Sequence, residues 1–121
     1  PARSDIRQVL ARVLMKRRKY PAASQEWTTV LALNPADESS RFNYALCLQR
    51  TGDNAGALRE YETILTTHPD RSSAVYNRGL ALERLGRGPE AMAAYRRMLE
   101  LVPNHEPSLR KLAELAGAER P

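Results

Sequence analysis

The stretch Ser72–Pro103, SSAVYNRGLALERLGRGPEAMAAYRRMLELVP, decides the fold. Its first part reads as a helix that runs to Leu85 and stops at Gly86-Arg87-Gly88-Pro89, and a second helix follows from Glu90 to Leu101. Small residues at Gly79 and Ala91 mark where the two helices can touch closely. Tyr95 follows Ala91 by one helical turn and therefore shares its face. Pro103 closes the unit, because it has no N–H to donate and its ring pushes Val102 out of the α region.

Read upstream in steps of 34 residues, the same unit recurs. Prolines fall at Pro35, Pro69 and Pro103, and alanines at Ala23, Ala57 and Ala91. Aromatic residues follow at Trp27, Tyr61 and Tyr95, then Val30, Ile64 and Met98, then Leu31, Leu65 and Leu99. In the first helix of each unit, Ala11, Ala45 and Gly79 match, as do Leu14, Leu48 and Leu82. A fixed period of this size is the signature of a solenoid, in which each unit buries its apolar face only by stacking on its neighbours.

This pattern resembles the tetratricopeptide repeat (TPR). The small residue at Ala45 or Gly79, the turn at Gly52-Asp53 or Gly86, the small-then-aromatic pair and the closing proline carry the resemblance. It implies an all-α fold, a right-handed superhelical solenoid of antiparallel helix pairs with about seven helices. The chain reads as one domain over 1–121, with repeats at about 4–37, 38–71 and 72–105 and a capping helix at about 106–117. Two positions depart from the pattern. Arg18 replaces the usual turn glycine, and Arg78 stands where the sibling units have Leu10 and Tyr44.

In order along the chain, Ser4 or Asp5 is placed to cap the first helix, which carries Ile6, Leu10, Val13 and Leu14 at helical spacing. That helix is expected to end near Arg18–Tyr20, with Pro21 keeping Tyr20 out of the α region and opening the next helix. Asp37 reads as a cap for the third helix, Gly52 as a left-handed C-terminal residue, and Asp53 or Asn54 as the following cap. The last helix is expected to begin near Pro107 and end at Gly117. Leu109, Leu112 and Leu115 form its apolar stripe, Ala113 and Ala116 continue the repeat register, and Glu119 and Arg120 extend its charged side. No matching cap precedes the first helix, which points to a truncated chain or a partner at that end.

Composition narrows the function. Apolar residues make up 42% and charged residues 27% of the 121, which describes a globular chain with a core. No apolar run is long enough to span a membrane, and no signal peptide is visible, so cytoplasm is the default localisation. The single Cys47 shares its register with Val13 and Ala81 and reads as a small buried hydrophobe. A net charge of +5 favours acidic partners. The dense run Lys16-Arg17-Arg18-Lys19 sits at a helix C-terminus, where cations complement the dipole. With little aromatic interleaving, it is a weak nucleic-acid signal.

The resemblance also places a binding surface. In the TPR family the concave face, lined by the first helix of each pair, commonly holds an extended peptide. Carried over by position, that face gives Asp5, Gln8, Val9, Arg12 and Lys16, then Ser39, Phe42, Asn43, Leu46 and Gln49, then Ser73, Tyr76, Asn77, Leu80 and Glu83, with Arg110, Lys111 and Glu114 from the capping helix. Phe42, Leu46, Tyr76 and Leu80 fall outside the packing registers and are expected to be available for a ligand. Asn43 and Asn77 offer amides suited to a peptide backbone, and Arg12, Lys16, Arg110 and Lys111 offer charge for carboxylates. TPR domains that bind chaperone tails place Lys, Asn, Asn, Lys and Arg at positions that here read Gln8, Arg12, Asn43, Ser73 and Asn77. Only Asn43 matches, which argues against heat-shock chaperone tails as ligands.

No phosphate loop, paired-cysteine motif, HExxH or nucleophile elbow occurs in the sequence. His68 and His105 lie in loops without thiolate or carboxylate support, so no metal or other cofactor is implied. The expectation is a non-enzymatic protein-interaction module for an extended, acidic peptide or protein segment. The alternatives are a scaffold that self-associates through its uncapped first unit and a recognition domain cut from a larger enzyme.

Overall fold

The computed structural model describes residues 3–118. Seven α-helices occupy them: α1 (Ser4–Lys16), α2 (Tyr20–Leu33), α3 (Glu38–Arg50), α4 (Asn54–Thr67), α5 (Ser72–Arg84), α6 (Gly88–Leu101) and α7 (Glu106–Ala118). Helices α1, α3, α5 and α7 start at 4, 38, 72 and 106, and α2, α4 and α6 start at 20, 54 and 88. The period of the sequence is therefore also the period of the backbone. No strand occurs among the described residues.

The hairpin turns explain how the period holds where the sequence departs from it. After α1, α3 and α5 the chain closes with the same hydrogen bond, Lys19 N–H to Leu14 O at 2.8 Å, Asp53 N–H to Leu48 O at 2.8 Å and Arg87 N–H to Leu82 O at 2.9 Å. This closure requires a left-handed residue just past the helix. Gly52 and Gly86 supply it with φ of 91° and 76°, and Arg18 supplies it with φ of 60°. Arg18 keeps the turn despite its side chain, at a steric cost of about 1–2 kcal/mol.

The helix ends follow local chemistry, with four departures from expectation, the first being that α1 ends at Lys16 rather than near Arg18–Tyr20. The Asp37 carboxylate accepts from Ser40 N–H at 3.2 Å and that of Asp53 from Gly56 N–H at 2.8 Å, so both cap as expected. Asn34 and Val102 leave the helical backbone before Pro35 and Pro103, with ψ of 82° and 89°. By contrast, Ser4 and Asp5 do not cap α1. Arg3 occupies the cap position without a side-chain bond, and Asp5 lies inside the first turn, where a carboxylate suits the helix dipole. Tyr20 is the first residue of α2 despite Pro21, because Lys19 absorbs the non-helical backbone instead. Helix α6 begins at Gly88 rather than Glu90, with Pro89 in the first turn, where its missing N–H is not needed.

The chain forms two compact units, Pro1–Glu60 and Tyr61–Pro121, with the boundary inside α4. In the first, α2 packs on both α1 and α3. Its core is Ala11, Ala23, Trp27, Val30 and Cys47, with Leu14, Met15, Tyr20 and Tyr44 packed against them. Burial pushes the Cys47 thiol up to about 11, as befits a small hydrophobe shielded from water. Val13 shares the register of Cys47 and Ala81 but is exposed.

In the second unit α6 packs on both α5 and α7. Leu82, Ala91, Tyr95 and Met98 are buried there. A Cβ at Gly79 would come within 2.7 Å of Tyr95 Cε1, so the close approach expected at Gly79 is real. The expected stripe of α7 is corrected at one place. Leu109 is half exposed and Ser108 is fully buried instead, because 108, 112 and 115 form the packed row. Ala113 is exposed as well. Helix α7 begins at Glu106, and His105 stands in its capping place, with Nδ1 accepting from Ser108 N–H at 3.3 Å. Glu119 and Arg120 lie outside the described residues.

Candidate functional site

In the second unit, the side chains expected to bind are organised around Tyr95. Its ring is fully buried by the α5–α6 packing, and its hydroxyl donates to Glu83 Oε1 on α5 at 2.8 Å. Burial, followed by the neighbouring Glu83 carboxylate, raises the phenol well above its ordinary value, so it stays a donor. The other Glu83 oxygen pairs with Lys111 Nζ on α7 at 3.4 Å. One carboxylate thus ties α5, α6 and α7 together. Sequence reading placed Glu83 and Lys111 on the ligand face but did not pair them.

Tyr76 was expected to have no packing duty, and this is corrected. Its ring meets Tyr95 with centroids 5.7 Å apart and His105 at 4.9 Å in an edge-on arrangement. The ring is nevertheless half-buried rather than enclosed. With Pro107, Arg110, Lys111 and Glu114 it lines a hollow of about 150 Å³. Tyr76 and Arg110, assigned to a common surface from sequence, are therefore brought together. Asn77 and Leu80 are half-buried on the same helix, α5. The Asn77 amide donates to Ser73 O one turn back at 2.8 Å, so its donor is engaged within its own helix.

In the first unit the expected residues lie on two helices. On α1, Gln8 donates to Ser4 Oγ at 3.2 Å and accepts from Arg12 Nη2 at 3.2 Å, which makes a polar ladder along one side. Lys16 lies on the next turn and is exposed. On α3, Phe42, Asn43 and Leu46 are half-buried. Two equivalent ion pairs brace this unit at its sides, Arg7–Glu26 at 2.9 Å and Arg41–Glu60 at 2.6 Å.

Chemically, these surfaces offer aromatic and aliphatic contact, amides and cations. Among the described residues no group of three His, Cys, Asp or Glu is placed to hold a metal ion, and no helix is long and apolar enough to cross a membrane.

Comparison with known proteins agrees with this architecture. The Tetratricopeptide repeat family profile matches residues 9–58 and 48–106. No curated protein matches in sequence. Solved structures match closely in fold. The first TPR of Spaghetti (RPAP3), bound to the HSP90 peptide SRMEEVD, is 23% identical, with a TM-score of 0.88 over 95% of this chain and 91% of that one. The Sgt2 TPR domain from Aspergillus fumigatus is 25% identical, with a TM-score of 0.82 over 98% and 85%. The Yersinia enterocolitica type III secretion chaperone SycD, in complex with a peptide of the translocator YopD, is 16% identical, with a TM-score of 0.87 over 96% and 94%.

Proposed function

Since this chain belongs to the tetratricopeptide repeat family, a family of protein-interaction scaffolds, we propose that it is an adaptor that holds an extended peptide carrying acidic side chains. The observation that carries this reading is the hollow beside Tyr76, where a half-buried ring lies next to Arg110 and Lys111. Tyr76 and Leu80 give the ligand apolar contact, and Asn77 turns its amide from Ser73 to the peptide backbone. Arg110 and Lys111 receive a carboxylate. Lys111 is already held by Glu83, so the exposed Arg110 is the main charge contact. The first unit offers the same chemistry through Phe42, Asn43 and Leu46 on α3 and Gln8, Arg12 and Lys16 on α1. The net charge of +5 draws such ligands in.

Two of the structural relatives were solved with peptides, the HSP90 peptide SRMEEVD and a YopD peptide. The first is acidic. Of the residues that chaperone-tail TPR domains use, this chain keeps only Asn43, so its ligand is an acidic segment of another kind. Fluorescent heptapeptide pools of acidic, neutral and basic composition test the reading. The acidic pool binds, and Arg110→Glu weakens it by about tenfold or more, a difference near 1.4 kcal/mol, with unchanged circular dichroism. The Asn43→Ala, Asn77→Ala double variant weakens all bound peptides alike. Equal binding of the basic pool, or affinities that neither variant changes, would remove this assignment.

A further inference from the structure

Helix α1 carries a second, apolar surface, which meets the positions assigned to peptide binding only at Asp5, Val9 and Lys16. Ile6, Val9, Leu10 and Val13 follow one another at helical spacing and are 60%, 56%, 41% and 41% exposed. With Asp5 they line an apolar hollow of about 500 Å³. Four large apolar side chains on one face of one helix form a contiguous patch, not scattered surface residues.

The chain itself shows what this face is shaped to receive. Moved on by 34 residues, Ile6, Leu10 and Val13 become Ser40, Tyr44 and Cys47 of α3. Ser40 and Cys47 are 2% and 0% exposed, and Cys47 and Tyr44 pack into the cluster of Trp27 and Val30 from α2. Moved on by 102 residues, the same positions are Ser108, Leu112 and Leu115, the packed row of α7 on α6. In both cases the face is covered by the helix before it.

Charge selects the kind of helix. Arg3 stands one turn before Ile6, and Lys16 and Arg17 stand one turn after Val13, so cations bound the patch at both ends. Arg18 and Lys19 follow and are exposed. The acid on the rim, Asp5, is taken by Arg3 at 3.1 Å. Among the described residues Lys16, Arg17, Arg18 and Lys19 have no carboxylate partner. A parallel pairing of α1 with α1 of a second copy would bring these like charges together, and an antiparallel pairing would set them against an Arg3 and Asp5 already paired with each other.

We infer that the Ile6-Val9-Leu10-Val13 face of α1 is a docking site for an amphipathic helix whose apolar stripe is flanked by carboxylates. The partner helix takes the place that α2 takes on α3, and its acidic flanks meet Arg3 at one end and Lys16 and Arg17 at the other. This site contains neither Tyr76 nor Arg110 and shares only Lys16 with the residues proposed above to hold the peptide, so the Ile6, Val9 and Arg110 substitutions test the two readings apart.

The test uses two synthetic helices that carry the apolar stripe of α2, one with glutamates and one with lysines on the flanks. Fluorescence anisotropy is read against the full chain. The glutamate helix binds at least about tenfold more tightly than the lysine helix, and the difference shrinks as salt is raised. The Ile6→Gln, Val9→Gln variant, altered at the two most exposed positions, keeps its circular dichroism and loses about tenfold or more for the glutamate helix. Equal affinity for both helices, no binding of either, or binding unchanged in the variant overturns the proposal. Ultracentrifugation and flotation with anionic vesicles supply two further outcomes. A concentration-dependent mass abolished by the Ile6, Val9 substitutions assigns the face to a second copy, and vesicle binding abolished by them assigns it to a membrane. Either result overturns the helix.

Discussion

The α1–α2 and α5–α6 hairpins occupy the same registers, 68 residues apart, and solve the same packing problem differently. In each, a fully buried aromatic on the second helix turns its polar atom toward the residue 12 positions earlier. Trp27 Nε1–H meets the Met15 sulfur at 3.3 Å, and Tyr95 O–H meets the Glu83 carboxylate at 2.8 Å. A thioether is a weak acceptor and ends the interaction inside the apolar cluster. A carboxylate has a second oxygen, which reaches Lys111 on α7. The same position in the repeat is thus an inert anchor in one unit and the root of a polar network in the other. The candidate peptide surface with the better-defined geometry stands where that network reaches the outside.

This comparison can be tested at its strongest point first. Trp27→Ala and Tyr95→Ala each remove a wholly buried ring and are expected to cost about 3–5 kcal/mol in denaturant unfolding. If the network matters, only Tyr95→Ala changes the environment of Lys111 as seen by NMR. Identical spectra at Lys111 would reduce the two hairpins to one packing scheme.

A smaller effect is expected at the helix crossing. Gly79 faces Tyr95 with no room for a methyl group, whereas α1 carries Ala11 at the same register. Gly79→Ala should overpack the contact and destabilise by about 1–3 kcal/mol. Ala11→Gly is expected to lose about 1 kcal/mol through helix propensity. A Gly79→Ala protein as stable as wild type would mean that the Tyr95 ring is less fixed than its contacts imply.

The smallest effect has the opposite sign. Arg18 adopts the left-handed backbone that glycine provides at 52 and 86. Arg18→Gly should stabilise the first hairpin by about 1 kcal/mol, and Gly86→Ala should destabilise the other by a similar amount. Thermal melts of the two variants read both signs. Loss of stability on Arg18→Gly would show that the side chain of Arg18 contributes more than its backbone costs.

Most of the fold was legible because its determinants are local. Prolines at 35 and 103, aspartates at 37 and 53 and the glycine at 52 act within a turn of the chain, and all behaved as their chemistry requires. Where local rules gave the wrong boundary, as at Tyr20 and Ser4, the non-helical backbone falls one residue earlier, at Lys19 and Arg3. The candidate site was legible only in part. The spacing placed Tyr76, Asn77 and Arg110 on the first helices of their pairs. It did not reveal that Tyr76 leans on Tyr95 and His105, because ring contacts join residues 19 and 29 positions apart.

Sequence by itself determined the period, the helices, the turns and the identity of the small and aromatic packing residues. Each of these follows from backbone sterics and apolar spacing, which act over a few residues or repeat without change. Tertiary structure decided which polar groups meet and which apolar faces remain open. Glu83 joins Tyr95 to Lys111 because three helices converge on it, and Cys47 is buried because α2 covers its face of α3, whereas among the described residues no helix precedes α1 to cover Val13. Register assigns a residue its position in the repeat. Only the neighbours around that position fix whether it sees water, a charge or another side chain.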